Sequence, residues 1–268
     1  GALAQRGRHR LMVSSRCKTE RMDPTPEPVP PAVRTFVERT HRLTSSAEHH
    51  VPSWLRPGAP ENRLPVIAAI LGAVLLQWAV PEQYTVVPRW PLIGLELLLV
   101  VVLLIINPVR MSRETTVGKW AMWVLTAAIT ADNTTSAIVL DVHILSGQVS
   151  NNAGLLLGSG AAIFITNVIV FGIWFWELDR GGPFARRAGD DPYPDFQFPQ
   201  MSDPQNAEPG WRPTFVDYLY VSYTNVVAFS PTDTMPLSRW AKMMMTLQSL
   251  VSISTTALVI ARAVNVLK

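Results

Sequence analysis

The chain has 268 residues, of which 48% are hydrophobic and only 16% are charged, and its formal net charge is +3. The apolar residues are clustered in long runs, which predicts a polytopic membrane protein and argues against a soluble enzyme. The single cysteine, Cys17, excludes an internal disulfide and a cysteine-based metal cluster. We expect neither a metal site nor a cofactor.

Composition divides the chain into four parts. Residues 1–63 are polar, basic and rich in proline, a composition that buries too little apolar surface to fold alone. We therefore expect a cytoplasmic or surface tail over 1–63 and a four-helix membrane region over 64–178. A soluble loop over 179–213 and a last module over 214–268 follow.

Five apolar segments approach or exceed the length of about 20 residues that a transmembrane helix needs. They are Leu64–Val80, Trp90–Ile106, Trp120–Leu140, Gly154–Trp176 and Trp240–Val266. The third is expected to be interrupted at its centre by the polar run Ala131–Ser136. The fourth opens with a GxxxG pair, Gly154 and Gly158, followed by Gly160, and small residues at this spacing let helices pack closely.

A sixth apolar run, Phe215–Val227, is too short to span a bilayer, and the polar loop 230–234 separates it from the last long segment. Short helix, polar loop and long helix form the pattern of a re-entrant pore loop followed by a pore-lining helix. Such a loop is tolerated at membrane depth only where protein or a water-filled cavity surrounds it. The predicted fold class is therefore all-α: a polytopic membrane protein with about five transmembrane helices and a re-entrant pore-type helix before the last one.

The residues around this loop resemble the pore module of potassium channels, which reads roughly TVGYGD-x-x-P-x-x-x-W-G-R. In an ungapped comparison, Pro236, Trp240 and Lys242 fall on the module's proline, tryptophan and arginine, and Ser222 falls on the hydroxyl residue of its pore helix. The residues that fall on the filter and its acidic neighbour are Ala228, Phe229, Ser230, Pro231, Thr232 and Asp233. The resemblance implies a channel-like pore built by several copies of the chain, with a tetramer favoured.

The filter segment departs from the potassium-channel pattern because 228–232 contains no glycine. A potassium filter is a ladder of backbone carbonyls, and its glycines reach left-handed conformations at little cost. Pro231 instead fixes φ near −65°. We therefore expect a degenerate filter that does not select potassium. The Asp-Tyr-Leu-Tyr start and the Ser/Thr-Asp loop also resemble an uncharacterised bacterial membrane family, which implies a multi-pass protein of the bacterial plasma membrane but no activity.

Polar residues within the spans are candidate functional residues, because carboxylates in spans usually face other helices or water. Asp132, beside Asn133, lies near the middle of the third span, and Glu96 lies within the second. Either a functional site or a hydrogen-bonded packing cluster would explain them.

In the last span Gln248, Ser252 and Thr255 follow i, i+4, i+7 spacing and share one face. This polar stripe suits a water-facing pore lining, with helix–helix contact as the alternative.

The distribution of basic residues predicts the orientation of the chain. Nine basic residues flank the span ends on one face and three on the other, which favours a cytoplasmic N terminus. With five spans the pore loop then enters from the cytoplasm, opposite to a potassium channel. Either the third segment enters and leaves on the same face, or the pore is inverted as in the ionotropic glutamate receptor family.

The sequence thus predicts a channel-like integral membrane protein. The alternatives are a non-conducting scaffold or sensor that retains the pore fold, and a small proton-linked transporter that uses Asp132 and Glu96. The expected partners are the lipid bilayer, further copies of the chain and an inorganic ion, but no nucleic acid. No sequence signature of a hydrolase, a nucleotide-binding loop or a metalloprotease is present, and enzyme activity is not expected.

Overall fold

The computed structural model describes residues 52–86, 88–107, 109–111, 114–149, 152–228 and 233–266. These residues are mostly helical. The α-helices are α1 (Leu64–Ala79), α2 (Arg89–Ile106), α3 (Thr116–Leu145), α4 (Ala153–Leu178), α5 (Pro183–Ala188), α6 (Pro199–Ser202), α7 (Phe215–Val227) and α8 (Arg239–Val266). Two short strands, β1 (Phe196–Gln197) and β2 (Met235–Pro236), pair antiparallel. Residues 1–51 of the tail predicted over 1–63 lie outside the described residues.

Three helices are long and apolar enough to cross a membrane: α2, α4 with the 3-10 turn that follows it, and α8. The helix α1 is apolar but has only 16 residues. The helix α3 has 30 residues, about 45 Å at 1.5 Å per residue, but is not among the three helices that meet both criteria. The structure is thus compatible with a membrane protein that has three candidate spans among its described residues.

The interruption predicted in the third span is wrong, because α3 is one continuous helix through Ala131–Ser136. Thr130 Oγ1 donates to the carbonyl of Thr126 and Thr135 Oγ1 to that of Ala131, so these hydroxyls are satisfied within the helix. The indole nitrogen of Trp174 also donates to Thr130 Oγ1. Asp, Asn and Thr weaken a helix by less than about 1 kcal/mol each, which packing against neighbouring helices overcomes.

The helices α1, α2, α3, α4 and α8 run between the two ends of a bundle. One end, the cap, brings together 52–63, 109–111 and the loop after α4, as in the hydrogen bonds from Arg63 N to Val109 O and from Gly58 N to Arg187 O. At the opposite end the ring of Tyr84 packs edge-on against that of His143, with centroids 5.7 Å apart.

The helix α3 runs from the cap to the opposite end. Near its start, Lys119 lines a small pocket with Arg63 and Glu177, which belong to the cap end. Near its finish lies His143, at the opposite end. The two ends of the third segment therefore lie at opposite ends of the bundle, and the segment does not turn back on itself.

Part of the predicted tail belongs to the folded unit. Ser53 Oγ donates to the carbonyl of Trp211 at 2.7 Å, and Arg180 Nη1 donates to that of Trp54 at 3.0 Å. The boundary expected at residue 63 is therefore too late, because 52–63 pack on the loop that follows α4.

The central helix is α4, which packs against α1, α3, α7 and α8. Its close contacts use glycines other than the predicted GxxxG pair. A Cβ on Gly160 would lie 2.9 Å from Val259 Cγ1 of α8, and one on Gly172 would lie 3.1 Å from the Cα of Leu219 in α7. A Cβ on Gly158 would meet nothing within 4 Å. Gly160 therefore sets the separation between α4 and α8, and Gly172 sets the separation between α4 and α7.

Candidate functional site

The segment that contains α7 begins and ends at the cap. At its start, the hydroxyl of Tyr218 donates to Asp179 Oδ2 of the turn after α4. At its end, Leu237 N donates to the carbonyl of Asp195 at 2.7 Å and Trp240 Nε1 donates to Asp195 Oδ1 at 2.7 Å. Asp195 N donates in turn to Asp179 Oδ1 at 2.9 Å, so both ends are fixed to one hydrogen-bonded unit.

Between these ends, α7 reaches the middle of α4. Its first turn is closed by a capping box, in which Thr214 N donates to Asp217 Oδ2 at 2.7 Å. Further along, Ser222 Oγ donates to the carbonyl of Val168 at 2.6 Å. Val168 lies about 16 Å from Asp179 along the axis of α4 at 1.5 Å per residue. The segment therefore leaves the cap, descends to mid-bundle and returns.

Polar side chains from three helices meet where α7 is deepest. We call Asn167, Ser222, Asn225, Gln248 and Ser252 the buried amide cluster, since each is no more than 5% exposed. Gln248 Nε2 donates to Ser222 Oγ at 2.7 Å, and Gln248 Oε1 accepts from Asn225 Nδ2 at 2.9 Å. Asn167 Nδ2 donates to Ser252 Oγ at 2.6 Å. The cluster fixes α7 to α4 and α8 with bonds that a low-dielectric interior strengthens.

The predicted polar stripe of α8 shares one face, but this face points into the chain. Gln248 and Ser252 belong to the buried amide cluster, and Thr255 Oγ1 donates to Asp141 Oδ2 of α3 at 3.4 Å. Their exposed fractions are 0%, 4% and 2%. The expected water-facing lining is replaced by helix–helix contact, because α3, α4 and α7 cover this face.

The predicted pore loop is only partly visible. Ala228 ends α7 and is exposed, and Asp233 is exposed and accepts from the hydroxyl of Tyr220 at 3.4 Å. Phe229, Ser230, Pro231 and Thr232 lie outside the described residues. The hydroxyl of Ser238, rather than Asp233, accepts from the first turn of α8, at Ala241 N.

The residues matched to the potassium-channel module have different roles in the structure. Pro236 lies in β2, opposite Phe196. Trp240 is anchored to Asp195, and Lys242 is exposed on the first turns of α8. Ser222, matched to the pore-helix hydroxyl, lies in the buried amide cluster.

Sequence reasoning missed the cap residues that hold α7 and α8. Asp179 and Asp195 were included only in a soluble loop. Arg186 is 4% exposed and donates to the carbonyls of Trp176 and Asp179, with Glu61 Oε1 3.4 Å from its Nη2. Burial lowers the pKa of Arg186, but its interactions with Tyr218 and with the carboxylates of Glu61, Asp179 and Glu177 outweigh burial and raise this pKa. A sequence signal was present, since these charged residues directly follow an apolar span.

A second polar cluster lies among α1, α2 and α3. Gln77 Nε2 is 3.4 Å from Glu96 Oε1 and 3.0 Å from Asp132 Oδ2. Glu96 is fully buried, Gln77 is 6% exposed and Asp132 is half-buried. We call these three residues the carboxylate cluster. The predicted intramembrane polar residues Glu96 and Asp132 therefore approach the same amide. Asn133 is buried, and its Nδ2 has no hydrogen-bond partner within the described part of the chain.

No family model, curated protein or solved structure matches the chain. Within the described part of the chain, no group of three or more His, Cys, Asp or Glu side chains could hold a metal ion. The two clusters and the cap are thus the candidate functional elements.

Proposed function

We propose that the chain is a channel-like integral membrane protein whose pore-type module consists of α4, α7 and α8. The proposal is carried by the course of the segment 214–240, which leaves the cap, reaches mid-bundle and returns to the cap. A segment that leaves and rejoins the same end of a bundle of long apolar helices resembles a re-entrant loop. Such a loop is tolerated only where protein or water surrounds it. On one side α7 is covered by α4 and α8, to which the buried amide cluster bonds it.

The other side of α7 supports an assembly of several copies. Val216, Tyr220, Tyr223 and Val227 lie on one face at i, i+4, i+7, i+11 spacing, and each is at least 46% exposed. One chain contributes one loop, so a central axis requires further copies. We propose that the exposed face of α7 packs against a neighbouring copy in a homotetramer, as the resemblance to the potassium-channel module implies.

The proposed pore does not select potassium. Without glycine in 228–232, the backbone has no low-cost way to stack successive carbonyl rings. The loop is proposed to hold water or hydrated ions, with its hydroxyls and carbonyls as the narrowest polar ring.

The proposed orientation places the cap in the cytoplasm of a bacterial cell. Arg63, Arg110, Arg180, Arg186 and Arg187 are all part of the cap end, and basic residues favour the cytoplasmic side. The loop would then enter from the cytoplasm, in the inverted manner of the ionotropic glutamate receptor family. With five crossings the C terminus would lie outside.

A non-conducting scaffold is the second candidate, and one observation favours it. The polar side chains of Gln248, Ser252 and Thr255 in α8 form hydrogen bonds within the chain, so they do not line a water-filled path. A scaffold would retain the same assembly and the same re-entrant segment without ion flux.

Cysteine accessibility tests the re-entrant course, because Cys17 is the only native cysteine. In a Cys17→Ser background, Ser230→Cys is labelled in oriented membranes with a membrane-impermeant thiol reagent. We expect labelling only from the side that labels Ser202→Cys, an exposed cap residue. Lipid-facing Leu250→Cys is the unreactive control. Labelling of Ser230→Cys only from the opposite side would contradict the proposal.

Stoichiometry and ion flux separate the two candidates. Native mass spectrometry of the purified protein is expected to show a tetramer, and a monomer would contradict both. In liposomes, a sodium and potassium flux of similar size supports the channel, whereas no flux from a tetramer supports the scaffold.

A further inference from the structure

The carboxylate cluster lies where α1, α2 and α3 meet. The helix α1 contains one strongly polar side chain, Gln77, and α2 contains one carboxylate, Glu96. The amide nitrogen of Gln77 approaches both Glu96 Oε1 and Asp132 Oδ2 of α3, so the two carboxylates share a single donor. Side chains that converge from three separate helices form one local unit.

This unit is short of hydrogen-bond donors. Glu96 Oε2 and Gln77 Oε1 are buried, and among the residues that the structure describes neither has a hydrogen-bond partner. The Gln77 oxygen belongs to the same amide group whose nitrogen approaches both carboxylates, so it is part of the same cluster. Buried acceptors are normally satisfied, so the two oxygens indicate a missing donor between these side chains.

The cluster is also short of positive charge. Apart from Glu96 and Asp132, the charged or titratable residues of the helices packed here are Arg89 in α2, Lys119, Asp141 and His143 in α3, and Glu177 in α4. Arg89 exerts an attraction on Asp132, and its Nη1 donates to the carbonyl of Trp78 at 2.8 Å. Lys119 lies about 20 Å from Asp132 along the axis of α3. Two carboxylates therefore face one nearby cation, which leaves one negative charge in an apolar setting.

We propose that Glu96 and Asp132 together bind one exchangeable proton, which supplies both the missing donor and the missing charge. Gln77 suits this task because its amide can pair with either form of a carboxyl group. Its nitrogen donates to a carboxylate, and its oxygen accepts from a carboxylic acid. The proton comes from water and returns to it, so no other reactant is needed. This inference does not depend on the pore-type module, which lies in other helices.

Infrared spectroscopy of the protein in lipid membranes tests this proposal. The carboxylic acid C=O stretch is followed from about pH 5 to pH 9, a range in which an ordinary carboxyl group is already ionised. We expect a titrating band in the wild type that Glu96→Gln removes. Asp132→Asn should shift its midpoint by about one pH unit or more, since the shared charge is gone. Should Glu96→Gln fail to fold, the shift in Asp132→Asn carries the test.

Two controls complete the test. All spectra are recorded in a Glu177→Gln background, so that this other partly buried carboxyl group contributes no band of its own. Glu208→Gln, which removes an exposed carboxyl group, is the control and should leave the band unchanged. Exchange of choline for sodium should not move the midpoint, and a midpoint that depends on sodium would replace the proton with a sodium ion and overturn the proposal. A wild type without a titrating band, or a band that survives unshifted in both cluster variants, would overturn it as well.

Discussion

Trp240 donates its indole N–H to Asp195 Oδ1 at 2.7 Å, and this bond joins the start of the last long helix to the loop that follows α4. The same aspartate accepts from the backbone of Arg180 and Leu237. Because Asp179 of the same unit accepts from Tyr218, the return of the chain after α7 is fixed by side chains far apart in sequence.

Trp240→Phe is expected to lower the free energy of unfolding by about 1–3 kcal/mol, because Asp195 Oδ1 loses its indole donor in a partly buried site. Denaturation of the purified protein in detergent measures the loss. Trp90→Phe is the matched control, since Trp90 is 73% exposed, and should change stability by no more than about 0.5 kcal/mol. Equal losses in the two variants would show that the bond does not anchor the helix.

Gln248→Leu is expected to cost about 2–5 kcal/mol, because the amide pairs with both Ser222 and Asn225 of α7. Loss of these bonds should also loosen α7. Hydrogen exchange measured peptide by peptide should show faster exchange over 215–227 than in the wild type.

A matched pair of serines in α8 provides the control for that prediction. Ser252 accepts from Asn167 in the buried amide cluster, whereas Ser254 is exposed, donates to the carbonyl of Val251 and also interacts with Asp141 of α3. Ser252→Ala should destabilise by about 1–2 kcal/mol and Ser254→Ala by less than about 0.5 kcal/mol. The reverse order would argue against a stabilising role for the cluster.

Gly160→Ala is expected to destabilise the contact of α4 with α8, since the added Cβ would lie 2.9 Å from Val259 Cγ1. Overpacking of this kind costs about 1–3 kcal/mol. Gly158→Ala, two residues away, meets nothing within 4 Å and should be neutral or slightly stabilising. Thermal unfolding of the two variants checks this, and greater loss at Gly158 would favour the GxxxG pair after all.

Replacement of residues 228–232 by TVGYG tests whether the loop can act as a filter. The added glycines permit stacked carbonyl rings, so the substituted protein should favour potassium over sodium in liposome flux assays. The unmodified protein should discriminate poorly between the two ions. A clear potassium preference in the unmodified protein would contradict the argument from the missing glycines.

The sequence alone defined α7. The capping pair Thr214 and Asp217 begins the helix, and the predicted bounds Phe215–Val227 are those of the structure. Local chemistry suffices for such a prediction, because helix ends are set by residues within a few positions.

The local pattern was misleading at Ala131–Ser136, where polar residues predicted a break in a helix that is continuous. Asp132 of this stretch accepts from Gln77, and the adjacent Thr130 accepts from Trp174, and both of these partners belong to other helices. A local pattern contains no information about these partners, so a break and a packed helix look alike in the sequence.

Periodicity predicted that Gln248, Ser252 and Thr255 share a face, and only the tertiary structure decided what this face meets. The same holds for Glu96 and Asp132, which meet through an amide 19 residues from one and 55 from the other. Spacing along one helix fixes the direction of its side chains relative to each other. Which helix lies opposite is decided by packing of the whole bundle, because polar groups in an apolar interior are stable only where partners from other elements reach them.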